Sequence, residues 1–199
     1  MATLAKRVGE YTFNDFLILI KEHEKADLLD GVIYMASPES TDNNDLGVWL
    51  LKLMSEFTEQ SDLGKVYFSR VAFRITEKQG PEPDIAFVAK RRLRLVKKGF
   101  VDGPPDIAVE IVSADSMERD YETKRALYER AGVKEYWIID PDERKAIFLR
   151  RQRGKFREVA LDGSIFESIV LRGFKLNVGW LWAKQRPSAF RLLQGLLER

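Results

Sequence analysis

The chain of 199 residues contains no cysteine and a single histidine, His23. The absence of cysteine excludes disulfides, thiolate-bound zinc and a cysteine nucleophile, and one histidine cannot supply a histidine-rich metal site. Carboxylates are then the side chains left to bind a metal, and they favour hard cations such as Mg²⁺ or Mn²⁺. The sequence also lacks a run of about 18 apolar residues and an apolar leader, so we expect a cytoplasmic protein without a membrane partner.

No internal repeat, low-complexity tract or linker interrupts the chain. Hydrophobic residues make up 45% and charged residues 32%, which is typical of a soluble globular protein. We therefore expect residues 1–199 to form a single domain. The patterns follow the order helix, hairpin, helix, strands, helix, strand, hairpin, which predicts an α/β fold with a mixed central sheet flanked by helices.

Caps and turns place the first elements. A capping-box pattern at Thr12–Asp15 predicts a helix that continues to about Glu24. Asp30-Gly31 predicts the turn of a hairpin, because both residues accept a left-handed backbone. Residues 65–76 alternate in polarity and predict one continuous strand.

Two later glycines also predict chain reversals. Gly132 predicts the left-handed end of a helix that starts near Ser116. Arg153-Gly154 predicts the turn of a second hairpin over residues 146–161. Between the early hairpin and residue 65, apolar residues at helical spacing predict a long amphipathic helix that packs on the core: Leu46, Trp49, Leu50, Leu53, Met54 and Phe57.

Glu110 lies inside an apolar, β-branched run where a carboxylate is unfavourable. The run predicts a buried central strand, and a carboxylate buried there must be paired or bound to a cation. Asp84 opens a second such run after Pro83, just as Asp106 follows Pro105. Asp84 and Glu110 can converge if their strands are neighbours, and the Ile111 carbonyl is a further candidate ligand.

Two other acids compete for a role in this site. Asp106 shares a strand face with Glu110, but at ~3.3 Å per residue the four residues between them span about 13 Å, too far to share one ion. Glu82 is closer to Asp84 but precedes the strand.

Lys124 lies on the packed face of the helix that follows. Tyr121, Lys124, Tyr128 and Ala131 recur at i, i+3, i+7 and i+10 and form one stripe. An ammonium on that face needs an acidic or phosphate partner, unless the side chain reaches water from the edge of the stripe. Two acids on adjacent strands with a lysine suggest a site that cleaves phosphodiesters, where a cation polarises the phosphate and activates water.

Basic residues cluster in two segments although the net charge is only +2. Residues 90–98 hold six basic side chains and no acid, and residues 144–157 hold seven and no acid. Such patches favour contact with a phosphate backbone, although each is also typical of a solvated loop or hairpin. We expect the loop to lie beside the site, because it connects the two acid-bearing strands. Its predicted DNA contacts are Lys90, Arg91, Arg92 and Arg94.

Pro83-Asp84 followed by Glu110-Ile111-Val112 resembles the PD-(D/E)xK nuclease motif, with valine at the position of the motif lysine. The stretch "GPPDIAVEIVSADS", Lys124, Tyr128 and "GVKEYWIIDP" resemble the Uma-type restriction endonuclease family more closely. The weaker pieces "LLDGVIYMASP" and "LRGFKLNVGWLW" extend the resemblance from about Thr12 to Trp182. In that family the following helix supplies the motif lysine, which matches Lys124.

The resemblance implies a restriction-endonuclease-like core with an added N-terminal hairpin and an added C-terminal hairpin. It also implies an endonuclease that uses Mg²⁺, or Mn²⁺ in its place, to cleave DNA. The implied catalytic residues are Asp84, Glu110, Lys124 and Tyr128. The implied metal ligands are Asp84, Glu110, Ile111 and Asp27.

The sequence departs from the family pattern at two places. Asp27 stands where the family usually has glutamate, and Asn43, Asn44 and Asp45 stand where a histidine often follows the "SP" loop. Two other functions stay open: a catalytically inactive nucleic-acid-binding module, and a structural or protein-interaction domain in which Asp84 and Glu110 form salt bridges, with Arg70 and Arg74 as available partners. If the enzyme makes paired cuts, a homodimer is expected.

Overall fold

The computed structural model describes residues 6–7, 10–21 and 24–197; His23 lies outside these ranges. The helices are α1 (Phe13–Leu19), α2 (Thr41–Gln60), α3 (Lys124–Ala131) and α4 (Ala189–Leu197). The strands are β1 (Lys6–Arg7), β2 (Ala26–Leu29), β3 (Val32–Met35), β4 (Gly64–Phe68), β5 (Ala72–Phe73), β6 (Ile85–Ala89), β7 (Phe100–Val101), β8 (Ile107–Ile111), β9 (Glu135–Asp140), β10 (Lys145–Gln152), β11 (Lys155–Glu158), β12 (Ile165–Glu167) and β13 (Lys175–Asn177). Short 3₁₀ segments span Lys90–Leu95 and Val178–Trp182, and a π-helical turn spans Arg119–Thr123.

Six strands form the central sheet in the order β11-β10-β9-β8-β6-β4. Strands β8 and β9 are parallel, whereas the other neighbouring pairs are antiparallel, so the sheet is mixed. Every residue of β8 and β9 is buried, as the apolar runs in the sequence predict for central strands. The predicted α/β fold class is confirmed.

Helix α2 covers one face of the sheet. Its predicted apolar stripe is buried and packs against alternate residues of β6 and β8, namely Ile85, Phe87, Val109 and Ile111. Helix α4 packs on α2 on the same side of the sheet. The face of the sheet that carries Ala108 and Glu110 is thereby left to α3 and the N-terminal hairpin.

Both predicted hairpins are present. Strands β2 and β3 pair across a turn at Asp30 and Gly31, whose φ angles are 50° and 74°. Strands β10 and β11 pair across Arg153 and Gly154, at 48° and 86°. Gly132 ends α3 in the left-handed conformation, at φ 86°. Positive φ values favour glycine, which explains its place at the second position of both hairpin turns and at the end of α3.

Two predicted boundaries were wrong. Helix α1 has the predicted capping box at Thr12, but it ends at Leu19 because Ile20 is extended and Glu24 closes a separate turn on Lys21. The predicted strand over residues 65–76 breaks at Ser69 and Arg70, whose φ angles are 43° and 49°. The Ser69 amide donates to the Asp84 carbonyl, after which the chain leaves the central sheet and β5 pairs with β7.

None of the helices within the described ranges combines the length and the apolar composition that a membrane crossing requires.

Candidate active site

Asp84 and Glu110 lie side by side on one face of the sheet. Strands β6 and β8 are antiparallel, with Ile85 opposite Val109, so the next pair in register is Asp84 and Glu110. The Ile111 amide donates to Asp84 Oδ2 at 2.7 Å. Both carboxylates are buried, Asp84 at 6% and Glu110 at 1% exposure. The strands are therefore neighbours, as convergence of the two acids requires.

Asp27 reaches the same region from β2. The Glu82 amide donates to Asp27 Oδ1 at 2.8 Å, and the Ala26 amide donates to Glu82 Oε2 at 3.2 Å. These two reciprocal bonds fix β2 beside the segment that leads into β6. Burial raises the pKa of Glu82 to about 8, although the Ala26 amide opposes the shift. Glu82 therefore supports Asp27 rather than adding a full negative charge at neutral pH.

Lys124 is enclosed by three carboxylates. Its Nζ lies 2.9 Å from Asp27 Oδ2, 3.0 Å from Glu110 Oε2 and 3.2 Å from Asp120 Oδ1, and the side chain is 4% exposed. Burial opposes the charged form, but the three carboxylates outweigh it and raise the pKa of Lys124 well above its usual range. The contact with Asp120 is a charge–charge contact, because Asp120 Oδ1 accepts no hydrogen bond within the described residues.

Asp120 is a member of the site that the sequence analysis missed. It lies in the π-helical turn before α3, is 1% exposed, and its carbonyl accepts a hydrogen bond from the Tyr136 hydroxyl at 2.7 Å. Burial raises the pKa of Asp120, although Lys124 opposes the shift. Asp120 precedes Lys124 by four residues, so the same helical spacing that placed Lys124 on the packed face could have identified it.

Tyr128 holds Glu110 from the other side. Its hydroxyl donates to Glu110 Oε1 at 2.9 Å, while its ring packs edge-on against Tyr136. Burial raises the pKa of the Tyr128 hydroxyl well above its usual range, and Glu110 adds to the shift, so the hydroxyl stays a donor. Burial also raises the pKa of Glu110, although Lys124 opposes the shift.

Lys25 is the second residue that the sequence analysis missed. Its Nζ forms an ion pair with Asp84 Oδ1, and its side chain is 23% exposed. Lys25 precedes Asp27 by two residues, so both side chains emerge on the same face of the extended chain. That period-2 spacing is the only local signal that could have placed Lys25 in the site.

These groups form the base of a cleft of about 610 Å³. Arginines line its sides: Arg70 follows β4, and Arg119 begins the π-helical turn. The Arg119 guanidinium lies 5.4 Å from the centre of the Tyr34 ring. Of the residues that stand where the family has a histidine, Asn44 lines the cleft and Asn43 donates to the Val112 carbonyl at 3.3 Å. The lining thus combines an acidic base with these two arginines and with three further acids, Glu24, Glu39 and Asp115.

The donor set fits one hydrated divalent cation. When all four carboxylates (Asp27, Asp84, Glu110 and Asp120) are ionised, their charge exceeds that of the two ammonium groups (Lys25 and Lys124) by two. Among the described residues, no three acidic or histidine side chains converge to hold a metal alone. Mg²⁺ does not need such a cage, because it binds one or two carboxylates and keeps several waters. Each carboxylate oxygen retains a second lone pair beside its protein donor.

The basic loop lies at the other end of the sheet, so its predicted position beside the site was wrong. Because β6 and β8 are antiparallel, the connection between them joins the strand ends remote from Asp84 and Glu110. The five residues of β6 at ~3.3 Å each put Lys90 roughly 16 Å or more from Asp84. Lys90 pairs with Asp62, and Arg92 pairs with Asp106 at 3.0 Å. Nucleic-acid contact by Lys90, Arg91, Arg92 and Arg94 stays a prediction.

Asp106 has a structural role at that remote end. It is fully buried, and its carboxylate accepts from the Ala89 amide at 2.9 Å and pairs with Lys134 at 2.5 Å. Arg74, proposed as a partner for the site acids, pairs instead with Asp102 at 2.9 Å. The acids of the site therefore meet lysines rather than this arginine.

Comparisons with known proteins show the family and the fold of the chain. The family model Uma2, described as "Putative restriction endonuclease", matches residues 13–179. A solved structure from Anabaena variabilis ATCC 29413, described as a "putative nuclease belonging to DUF820", matches with a TM-score of 0.72 and 16% identity, over 86% of this chain and 97% of that one. A search of curated proteins found no match. The fold is thus restriction-endonuclease-like, and the chain belongs to the Uma2 family.

Proposed function

We propose that this protein is a metal-dependent endonuclease that hydrolyses phosphodiester bonds in DNA. The observation that carries the proposal is the juxtaposition of Asp84 and Glu110 at the base of a cleft with two carboxylates in excess of its ammonium groups. Membership of a family described as restriction endonucleases and a fold shared with a described nuclease support it.

Asp84 and Glu110 would hold Mg²⁺, or Mn²⁺ in its place, with the Ile111 carbonyl beside them as a further oxygen. Asp27 is the less direct ligand, because its two oxygens already accept from the Glu82 amide and pair with Lys124. When bound, the cation polarises the phosphate and lowers the pKa of the attacking water. Tyr128 and Lys124 fix the two oxygens of Glu110, so its carboxylate is already oriented.

Two arginines that line the cleft suit a phosphate backbone. Arg119 lines the cleft, so its guanidinium can donate to a phosphate oxygen. Arg70 lies on the same cleft. Hydrolysis forms a bond from the water oxygen to phosphorus and breaks the bond to a sugar oxygen, which leaves with a proton. We therefore expect the scissile phosphate to lie between the acidic base and these arginines.

Cleavage of supercoiled plasmid in Mg²⁺ or Mn²⁺ tests the proposal. The wild type should cut, and Asp84→Asn should cut at least about two orders of magnitude more slowly because it weakens the metal site. Asp106→Asn is the matched control: it also follows a proline at the start of a strand, but at the remote end, and it should retain cleavage below its melting temperature. Equal rates for wild type and Asp84→Asn would contradict the assignment. Gel filtration shows whether the active form is the expected homodimer.

A catalytically inactive DNA-binding module is the second candidate. The enclosure of Lys124 by three carboxylates favours it, since an ammonium that is 4% exposed and contacts three protein carboxylates is poorly placed to contact a phosphate in the cleft. The outcome that selects this candidate is a wild type that binds duplex DNA in fluorescence anisotropy but cleaves neither DNA nor RNA with either cation.

A further inference from the structure

The two lysines of the site differ in how fully they are engaged. Lys124 contacts three carboxylates and is 4% exposed. Lys25 contacts one carboxylate, that of Asp84, and is 23% exposed. Within the described ranges the Lys25 ammonium makes no other hydrogen bond or ion pair, so two of its three N–H donors remain available.

Lys25 also sits on the oxygen of Asp84 that the sheet does not hold. The Ile111 amide fixes Oδ2 from the sheet backbone, whereas Oδ1 faces Lys25, which lines the cleft. A cation held by Asp84 from the cleft side would use Oδ1. An ammonium and a divalent cation at the same oxygen repel each other, so Lys25 and the cation compete for Asp84.

We infer that Lys25 holds Asp84 until a divalent cation takes Oδ1, and that its released ammonium then contacts a phosphate of the nucleic acid in the cleft. This rests on the proposed metal-dependent function. The four-carbon stem of lysine lets the ammonium move without a change in the backbone. Lys25 remains in the cleft after the exchange, so the formal charges of the cluster and of one divalent cation still balance.

Lys124 is poorly suited to the same exchange. Its release would separate it from Asp27, Glu110 and Asp120 at once and leave buried carboxylates without a counter-charge. Lys25 gives up a single partner, which a cation replaces. Lys25 is therefore the lysine that meets the substrate, and Lys124 is a positioning residue that keeps the carboxylates together.

Calorimetric titration with Mn²⁺ tests the competition. Lys25→Met removes the competing charge and keeps an apolar chain of similar length, so its Mn²⁺ affinity should rise by about tenfold. Lys134→Met is the matched control, because Lys134 pairs with Asp106, another strand-leading aspartate, at the remote end of the sheet; its Mn²⁺ affinity should equal that of the wild type. An affinity of Lys25→Met equal to or weaker than the wild type would overturn the inference.

Binding of a fluorescein-labelled DNA duplex in Ca²⁺, measured by anisotropy, tests the phosphate contact without relying on cleavage. Lys25→Met should bind the duplex about tenfold more weakly than the wild type, and Lys25→Arg should restore most of the affinity. Unchanged duplex affinity in Lys25→Met would also overturn the inference.

Folding and the underlying proposal are checked separately. If Lys25→Met does not fold, Lys25→Gln takes its place in both assays, because it keeps an N–H donor for Asp84 without the charge. A wild type that binds Mn²⁺ while Lys25→Gln shows no gain in affinity overturns the inference alone. A wild type that binds no Mn²⁺ overturns the metal-dependent function together with it.

Discussion

Replacing Lys124 with methionine removes the positive charge that Asp27, Glu110 and Asp120 share. All three carboxylates lie within 3.2 Å of the ammonium, and none of the four side chains is more than 10% exposed. Removal of one partner from a buried ion pair costs about 3–5 kcal/mol, because the remaining charge stays buried without compensation. We therefore expect Lys124→Met to lower the free energy of unfolding by about 3–5 kcal/mol.

That decrease corresponds to a fall of about 6–20 °C in Tm, at about 2–4 °C per kcal/mol for a chain of this size. Calorimetry and urea unfolding at neutral pH measure it. Lys155→Met is the control, because Lys155 pairs with Glu129 at 3.0 Å but is 71% exposed. An exposed pair contributes at most about 1 kcal/mol. Mn²⁺ should restore part of the stability of Lys124→Met, since a divalent cation supplies the missing charge and binds only the folded chain.

A Lys124→Met variant as stable as Lys155→Met would contradict this prediction. The carboxylates would then be neutral or hydrated, and Lys124 would not hold the cluster together. Lys124→Arg gives a second check, because a planar guanidinium cannot reproduce three contacts made from one nitrogen. We expect Lys124→Arg to recover less than half of the stability that Lys124→Met removes.

Two further predictions concern groups outside the base of the cleft. Asp106→Asn should reduce stability by roughly 1–3 kcal/mol at pH 7. Burial opposes ionisation of Asp106, but Lys134, the Ala89 amide and Arg92 outweigh it and lower its pKa. The stability that Asp106 contributes is therefore fully present above the unfolded-state pKa of about 3.9 and is lost as the pH falls through the folded-state pKa. Urea unfolding should show that the difference in stability between the wild type and Asp106→Asn shrinks in acid. For DNA binding, Arg70→Gln with Arg119→Gln should reduce the slope of log affinity against log salt by about one for each phosphate that the variant no longer binds. The double variant Arg91→Gln, Arg94→Gln should have the same salt slope as the wild type if only the cleft binds DNA. A reduced slope for this variant would indicate that the basic loop also contacts DNA.

Local sequence patterns predicted which face of each element carries the site residues. Glu110 was placed by the apolar residues around it in the strand, and Lys124 by the helical spacing of the residues around it. Both placements rest on the periodicity of side chains along one element, which can be read from neighbouring residues. The direction in which β6 pairs with β8 does not follow from that periodicity. A connection of residues 90–106 is long enough for either direction, and only the antiparallel pairing moves the basic loop away from Asp84.

The break in the predicted strand over residues 65–76 shows a second limit. Alternating polarity continues through Ser69 and Arg70, and neither residue is a glycine or asparagine that would signal a left-handed backbone. The turn depends on a bond from the Ser69 amide to the Asp84 carbonyl, which lies in a distant part of the chain. The same tertiary contact brings Arg70 to the cleft, so local sequence could predict neither the turn nor the position of that arginine.

Asp84 and Asp106 show how similar local sequences acquire different roles. Each follows a proline and opens an apolar strand, and each pairs with a lysine. Asp106 also accepts from the Ala89 amide and pairs with Arg92, so three donors fill a carboxylate with no exposure. Within the described ranges the partners of Asp84 are the Ile111 amide and Lys25, and its outer oxygen faces the cleft. Displacement of one ammonium would open Oδ1 of either aspartate, but Asp84 lines the cleft beside a second carboxylate, Glu110, whereas Asp106 does not line the cleft. The difference lies in which end of the antiparallel sheet each aspartate occupies, which is why the proposed metal site includes Asp84 rather than Asp106.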